Sequence, residues 1–309
     1  MSNLQKFSLS IILPAYNEAG NIPEVLKKIQ KVFLTMSLNG EVLIINDGST
    51  DNTGQVAEGF REKYPFLHVL HHRKNMGLTE SLMTGFENVK GDVIIFLCSD
   101  LESDPEEDIP KLLSGIEDGY DMVVGWRENR GDGKLMTSKI YNLLSRILFG
   151  VTLHDQNWIK AFKRDVVSAL PLRSNWHRFI VPLAYHEGYK IKEVRTNWYP
   201  RKYGASKYGI GRLFSAVIDL IVIKFRLSFI KRPMFFFGSI GISLFLIGFF
   251  INLLQVIGDF FFHYEIKEHV PMLILGIASM ILGFQLISIG LLGELVVDYT
   301  SKQDRKKRL

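Results

Sequence analysis

Two long stretches of this chain carry no charged residue, and they limit its possible folds more than any other feature. They cover residues 233–258 and 270–293. Each is longer than the roughly 20 apolar residues that cross a bilayer as a helix. Two core helices of a soluble protein would be shorter, and each would keep a polar face. We therefore predict two transmembrane helices, at residues 233–258 and 270–295.

The charges beside these stretches predict their orientation. Lysines and arginines precede the first stretch and follow the second, and they explain much of the net charge of +5. Cytoplasmic flanks are enriched in Lys and Arg, so both termini are expected in the cytoplasm and the connector 259–269 outside. The same flanks suit an anionic lipid leaflet better than nucleic acid. In a bacterium or archaeon, the protein would span the plasma (inner) membrane.

The first 207 residues alternate short apolar runs with amphipathic segments. This order predicts right-handed crossovers and a mostly parallel sheet, which is an α/β fold. The first apolar run is not followed by Gly-x-Gly-x-x-Gly, and the sequence has no Walker phosphate loop. A dinucleotide-binding domain of the dehydrogenase type is therefore not expected.

Between this domain and the first span, residues 208–232 alternate apolar clusters with charges. We predict helices that lie in the membrane interface, and an ordinary surface helix of the soluble domain is the alternative. After the second span, residues 296–309 form a basic cytoplasmic tail.

One apolar run ends in a cluster of carboxylates. Residues 93–97 read as a buried strand, and Asp100 and Glu102 follow it directly. Ligands of open parallel sheets gather beyond the carboxyl ends of the strands. The two carboxylates could bind one Mg²⁺ or Mn²⁺ if the chain leaves extended geometry between them. The alternative is an acidic loop that caps the next helix, because residues 104–107, Asp-Pro-Glu-Glu, are a good helix start.

Several motifs, in chain order, resemble the family-two inverting glycosyltransferases of the GT-A fold. They are Pro14-Ala15-Tyr16-Asn17-Glu18, Asn46-Asp47-Gly48-Ser49-Thr50-Asp51 and Ser99-Asp100-Leu101-Glu102-Ser103-Asp104-Pro105-Glu106. Arg-x-x-Gly-x-Ser-Lys at 201–207 and the glycine-rich segment 283–295 resemble the polyprenyl-phosphate glycosyltransferases. That group includes dolichol-phosphate mannose synthase and two-span bacterial enzymes that act on undecaprenyl phosphate. The resemblance covers nearly the whole chain.

The resemblance implies a reaction and a donor site. A sugar would pass with inversion from a nucleotide sugar, with uracil the favoured base, to the phosphate of a membrane polyprenyl phosphate. Pro14, Tyr16 and Glu18 would line the base and ribose, and Asp47 would contact the base. Asp100 and Glu102 would hold the Mg²⁺ or Mn²⁺ that bridges the two donor phosphates.

The resemblance also implies cationic groups that screen two repelling anions, the donor diphosphate and the acceptor phosphate. Arg127, Lys134 and Ser138 would hold the acceptor phosphate. Arg201, Ser206 and Lys207 would close over the pyrophosphate or the acceptor phosphate. The alternative is that these basic loops are solvated and face anionic lipid, and both readings are compatible. Asp155 would orient the acceptor or a cation, and a structural salt bridge is equally compatible with it.

The sequence departs from the family pattern at Cys98, where relatives often carry the first carboxylate of Asp-x-Asp-x-Gln. This departure keeps open a catalytically inactive, membrane-tethered protein that binds nucleotide sugar. A GDP-mannose-dependent synthase is another alternative. A processive polysaccharide synthase would bring Gln-x-x-Arg-Trp and more spans, and the sequence has neither. Glycines of the spans permit close helix packing, and hence a homo-oligomer: Gly238, Gly241, Gly283, Gly290 and Gly293.

Overall fold

A computed structural model describes most of the chain as two compact units, Met1–Val217 and Ile218–Leu309. The described residues are 7–128, 135–170, 172, 176–202, 222–225, 232–262 and 269–308, and for 135–140, 262 and 300–308 only the backbone is described. The predicted interface helices at 208–232 therefore lie outside the described residues, apart from a helical segment at 222–225 and residue 232.

The first unit is a seven-stranded sheet with helices between its strands. The strands are β1 Leu9–Ala15, β2 Gly40–Asn46, β3 Leu67–His71, β4 Val93–Phe96, β5 Met122–Arg127, β6 Lys160–Lys163 and β7 Ile191–Thr196. The helices are α1 Ile22–Thr35, α2 Thr53–Gly59, α3 Leu78–Asn88, α4 Pro105–Glu117, α5 Leu135–Phe149, α6 Arg164–Ala169 and α7 Ile180–His186, the last preceded by a 3₁₀ turn at Trp176–Phe179. The strand order is β3-β2-β1-β4-β6-β5-β7.

Strands β1 to β4 follow from the apolar runs of the sequence and pair in parallel as predicted. Helix α1 buries the face that its periodicity marks, including Ile22, Leu26 and Ile29. Helix α4 starts where Asp104 accepts a hydrogen bond from the backbone of Glu106. The predicted α/β fold is confirmed, and the acidic segment after β4 does cap the next helix.

Strand β6 is not predicted by the sequence patterns. It pairs antiparallel with both β4 and β5, so it interrupts the parallel order of the sheet. Its sequence, Lys-Ala-Phe-Lys, does not predict a central strand. Lys160 is nevertheless only 2% exposed, and its ammonium donates to the Trp158 carbonyl at 2.5 Å. Burial lowers the pKa of Lys160 to about 8.

The second unit contains two long apolar helices, α8 Pro233–Phe262 and α9 Val270–Arg308. Stretches 233–261 and 270–299 are long and apolar enough to cross a membrane, and only 17% and 11% of their most apolar windows are buried. Core helices of a soluble protein would be mostly buried. Helix α9 continues through most of the predicted tail at 296–309, where no Gly or Pro ends it.

Glycines bring α8 and α9 into close contact. A Cβ atom at Gly241 would lie 2.6 Å from the Gly283 carbonyl oxygen, and a Cβ atom at Gly283 would lie 2.6 Å from the Gly241 carbonyl oxygen. A Cβ at Gly293 would lie 2.7 Å from Pro233. These predicted packing residues therefore serve the helix pair within one chain, and a homo-oligomer stays a prediction.

Candidate active site

Asp100 and Glu102, which follow β4, both contact the guanidinium of Arg201. Leu101 has φ 58°, so the chain turns into the left-handed region between Asp100 and Glu102. Arg201 Nη2 lies 2.7 Å from Asp100 Oδ2, and Arg201 Nε donates to Glu102 Oε1 at 2.6 Å. The structure thus brings together three residues that the sequence predicted for one site. The turn that a shared cation requires is present.

Charge and burial oppose each other in this cluster. Burial, followed by the charge of Glu102, raises the pKa of Asp100, and Arg201 counteracts both. Burial disfavours the charged form of Arg201, but Asp100 and Glu102, with Glu18 adding to them, raise the pKa of its guanidinium. Glu18 belongs to the loop after β1 and also accepts a hydrogen bond from Asn21 Nδ2 at 2.6 Å. Arg201 is therefore a permanent cation among carboxylates.

Cys98, at the position of the missing carboxylate, contributes no charge. Burial, followed by the charges of Asp100 and Glu102, raises the pKa of its thiol well above the usual range. A neutral thiol is a poor ligand for a hard cation such as Mg²⁺. In the chain without a metal ion, a neutral thiol thus stands where the family pattern has its first carboxylate.

Hydrogen bonds tie together the loops that follow β1, β2 and β4. Ser99 Oγ donates to the Pro14 carbonyl at 2.7 Å, and the Thr50 backbone nitrogen donates to Asn17 Oδ1 at 2.8 Å. The half-buried side chain of Tyr16 lies in the first of these loops. The predicted nucleotide-binding residues therefore lie at the edge of the sheet that holds the carboxylates.

Asp47, the predicted base contact, is buried and already has partners. Its Oδ1 accepts from the Met76 backbone nitrogen at 2.8 Å and lies 2.8 Å from His72 Nδ1, and its Oδ2 accepts from the Gly77 nitrogen at 2.8 Å. Asp47 thus fastens the loop after β3, residues 72–77. This loop is not among the predicted site segments, although polar residues follow β3 just as they follow β1, β2 and β4.

Arg127 and Asp155 form a buried ion pair. Arg127 Nε donates to Asp155 Oδ2 at 2.6 Å, and Nη2 donates to Oδ1 at 3.1 Å. The guanidinium also lies 4.3 Å from the centre of the Trp158 ring. This ion pair fits both predicted readings of Asp155, a residue that orients a cation and a structural salt bridge, so its role stays a prediction. A phosphate that contacts Arg127 would have to share the guanidinium with Asp155.

Part of the predicted acceptor site is not described. Lys134, Ser206 and Lys207 lie outside the described residues, and Ser138 lies in α5 where only the backbone is described. Their predicted roles in binding the acceptor phosphate stay predictions.

The residues present suit a divalent cation. Among the described residues, no three His, Cys, Asp or Glu side chains come together as a metal cage. Mg²⁺ usually binds through one or two carboxylates plus substrate phosphates and water, so Asp100 and Glu102 are a sufficient protein contribution. The guanidinium between them shows that their oxygens attract positive charge.

Comparison with known proteins places the chain among sugar-transferring enzymes. The model of glycosyl transferase family 2 matches residues 10–178. A dodecaprenyl-phosphate galacturonate synthase from Rhizobium johnstonii is 30% identical over 307 residues, 95% of this chain and 88% of that protein. An undecaprenyl-phosphate 4-deoxy-4-formamido-L-arabinose transferase from Pseudomonas savastanoi pv. phaseolicola is 32% identical, over 93% of this chain and 84% of that protein.

Solved structures confirm the GT-A fold. A glucosyl-3-phosphoglycerate synthase from Mycobacterium tuberculosis, in complex with Mn²⁺, UDP and phosphoglyceric acid, has a TM-score of 0.56 at 20% identity, covering 72% of this chain and 78% of that one. A mannosyltransferase from Pyrobaculum calidifontis, in complex with GDP-Man and Mn²⁺, has a TM-score of 0.52 at 17% identity, covering 71% and 63%. Since the family model spans more than half of the chain and the relatives match nearly all of it, the chain is a glycosyltransferase and belongs to glycosyl transferase family 2.

Proposed function

We propose that this enzyme transfers a sugar from a nucleoside diphosphate sugar, in the first instance a UDP-sugar, to the phosphate of a membrane polyprenyl phosphate. The observation that carries the proposal is the extent of the similarity. The family model ends at residue 178, but the relatives that act on dodecaprenyl or undecaprenyl phosphate match 95% and 93% of the chain. The match therefore continues into the apolar helices, which a soluble acceptor would not require.

The acceptor needs little activation. A phosphate monoester is already ionised near neutral pH, so attack on the anomeric carbon does not require a strong general base. A phosphate oxygen forms the new bond to that carbon, the bond to the donor diphosphate breaks, and the configuration inverts. Positioning and electrostatic stabilisation therefore supply most of the catalysis.

The chain's own residues have distinct tasks in this proposal. Asp100 and Glu102 would hold Mg²⁺ or Mn²⁺, and the ion would supply positive charge to the donor diphosphate. Arg201 contributes a permanent positive charge toward the departing nucleoside diphosphate. Asp155 keeps the Arg127 guanidinium in a fixed orientation, with bonds of 2.6 and 3.1 Å. The predicted acceptor residues Lys134, Ser138, Ser206 and Lys207 would complete the positive charge.

The apolar helices would keep the enzyme at the bilayer, which a long polyprenyl chain cannot leave. We propose that both termini are cytoplasmic, because Lys and Arg flank the two spans on the side of the termini. A cysteine placed at 263–268 in a Cys98→Ser background should then react with a membrane-impermeant maleimide added outside intact cells. Labelling only after lysis would contradict this orientation.

Product formation tests the function directly. Purified enzyme in nanodiscs would receive undecaprenyl phosphate, Mg²⁺ or Mn²⁺, and labelled UDP-sugars or GDP-mannose in separate reactions. We expect a lipid-extractable labelled sugar with a UDP-sugar. Product only with GDP-mannose would favour a mannose synthase, and binding of nucleotide sugar without any product would indicate an inactive tethered protein.

A further inference from the structure

Arg201 lies where a divalent cation between Asp100 and Glu102 would have to bind. Its guanidinium contacts one oxygen of each carboxylate, at 2.7 and 2.6 Å. The second oxygen of Asp100, Oδ1, also has a partner: it accepts a hydrogen bond from the Glu102 backbone nitrogen at 3.1 Å. The side chains of Asp100 and Glu102 are only 10% and 16% exposed, so little room remains around these oxygens.

A guanidinium and a metal ion cannot share these contacts. Mg²⁺ binds carboxylate oxygens at about 2.0–2.1 Å and demands near-octahedral geometry, so it needs the space in front of both oxygens. Two like charges on the same pair of oxygens would also repel each other at contact distance. Binding of a metal ion to these two oxygens therefore requires Arg201 to leave them.

The segment that carries Arg201 is anchored while its side chain projects from it. The Tyr199 backbone nitrogen donates to the Glu102 carbonyl at 3.0 Å, and the Tyr199 hydroxyl donates to Glu107 at 2.8 Å. On the other side, Lys202 donates to both carboxylate oxygens of Glu24. The long side chain of Arg201, 24% exposed, can exchange partners without any change in these contacts of its neighbours.

We propose that Arg201 is the exchange partner of the catalytic metal ion. In the ligand-free chain it neutralises Asp100 and Glu102, and metal binding releases it to a phosphate oxygen of the donor or acceptor. This inference rests on the proposed metal-dependent transfer. Under this exchange, metal binding to Asp100 and Glu102 increases the affinity of Arg201 for phosphate. Phosphate binding increases the affinity for the metal by the same factor, because such coupling is reciprocal.

Direct measurement of metal binding tests the exchange. Free Mn²⁺ would be quantified by electron paramagnetic resonance during titration of the wild-type protein, Arg201→Gln and Lys202→Gln, without nucleotide. We expect Arg201→Gln to bind Mn²⁺ more tightly than wild type by about 5- to 150-fold, the range of typical coupling energies. Lys202→Gln loses the same charge from the next residue and should stay within about twofold, because surface pairs contribute little.

A second condition separates competition from simple loss of charge. With saturating UDP, Arg201 has a phosphate partner, so the advantage of Arg201→Gln should shrink or reverse. If Arg201→Gln does not fold, Arg201→Lys replaces it, and we expect an intermediate gain because one ammonium cannot reproduce the two-pronged contact.

Three results would overturn the exchange: equal or weaker Mn²⁺ binding by the Arg201 variant, an equal gain in Lys202→Gln, or no binding to either protein without nucleotide. Glycosyl transfer by the wild-type enzyme is measured separately. Intact transfer with no exchange refutes this inference alone, and exchange without transfer refutes the proposed function alone.

Discussion

Asp47 Oδ2 accepts a hydrogen bond of 2.8 Å from the backbone nitrogen of Gly77, and this contact joins the loop after β2 to the loop after β3. Gly77 has φ 93°, a left-handed conformation that favours glycine. A carboxylate that holds a loop in this way contributes to stability before any nucleotide arrives. The base contact that the sequence predicts for Asp47 would be an additional role.

Asp47→Asn is expected to lower stability as well as nucleotide affinity. An amide nitrogen cannot accept from a backbone N–H, so one partly buried donor loses its partner, at a cost of at most about 1–3 kcal/mol. Thermal unfolding with and without UDP measures both effects. Asp118→Asn, which removes an exposed carboxylate paired with Lys192, is the control. Weak nucleotide binding with an unchanged melting temperature would contradict the structural role.

Asp100→Asn is expected to reduce glycosyl transfer by about 10²–10³-fold, the effect typical of losing one electrostatic contact to a transition state. The amide keeps the shape of the side chain but loses the charge that the metal requires. The Mg²⁺ concentration for half-maximal activity should rise. Rates measured against Mg²⁺ concentration, with Asp118→Asn again as control, check this. Unchanged rates and Mg²⁺ dependence would refute the metal assignment.

At Leu101, substitution by glycine should destabilise the protein less than substitution by alanine. The residue is 7% exposed with φ 58°, so either substitution removes a buried side chain, at about 2–5 kcal/mol. Only glycine also relieves the left-handed strain, of about 1–2 kcal/mol. Chemical denaturation should therefore find Leu101→Gly about 1 kcal/mol more stable than Leu101→Ala. The reverse order would show that the turn is not strained.

Asp108 should make the protein less stable as the pH rises. Burial raises the pKa of Asp108 to about 7, and Lys111 opposes this shift. Between about pH 4 and pH 7 the unfolded chain has lost this proton and the folded chain keeps it, so the free energy of unfolding falls with pH, by at most about 4 kcal/mol. Asp108→Asn removes this loss.

Melting temperatures at pH 5 and pH 8 test this sign. Wild type and Asp108→Asn should nearly coincide at pH 5, where the wild-type carboxyl is neutral in the folded chain. At pH 8 the variant should melt at the higher temperature. A difference between the two proteins that is the same at both pH values would show that Asp108 is ionised in the folded chain.

Gly276→Leu should weaken the pair of apolar helices. A Cβ at Gly276 would clash with the side-chain amide of Asn252. With its amide oriented to satisfy both atoms, Asn252 donates to the Leu273 carbonyl and accepts from the Ile277 nitrogen, each at 3.2 Å. Loss of such contacts between membrane helices is worth about 0.6–2 kcal/mol. Melting in detergent should show this loss, whereas Ala278→Leu, at an exposed site on the same helix, should show none.

The sequence alone determined the features that depend on local pattern. Apolar runs predicted strands β1 to β4, and uncharged stretches predicted the two long helices, because periodicity and length govern burial within one element. Asp100 and Glu102 were predicted as a pair because a parallel strand must deliver the residues after it to the ligand-binding edge of the sheet.

Only the tertiary structure decided which partners these residues have. Glu102 and Arg201 are 99 positions apart in the chain, and Arg127 and Asp155 meet only after β5 and β6 pair. Strand β6 escaped prediction because Lys160 is an unfavourable residue for a central strand. The burial of Lys160 depends on a carbonyl partner and on neighbouring strands that the fold provides. The local sequence does not predict such distant contacts.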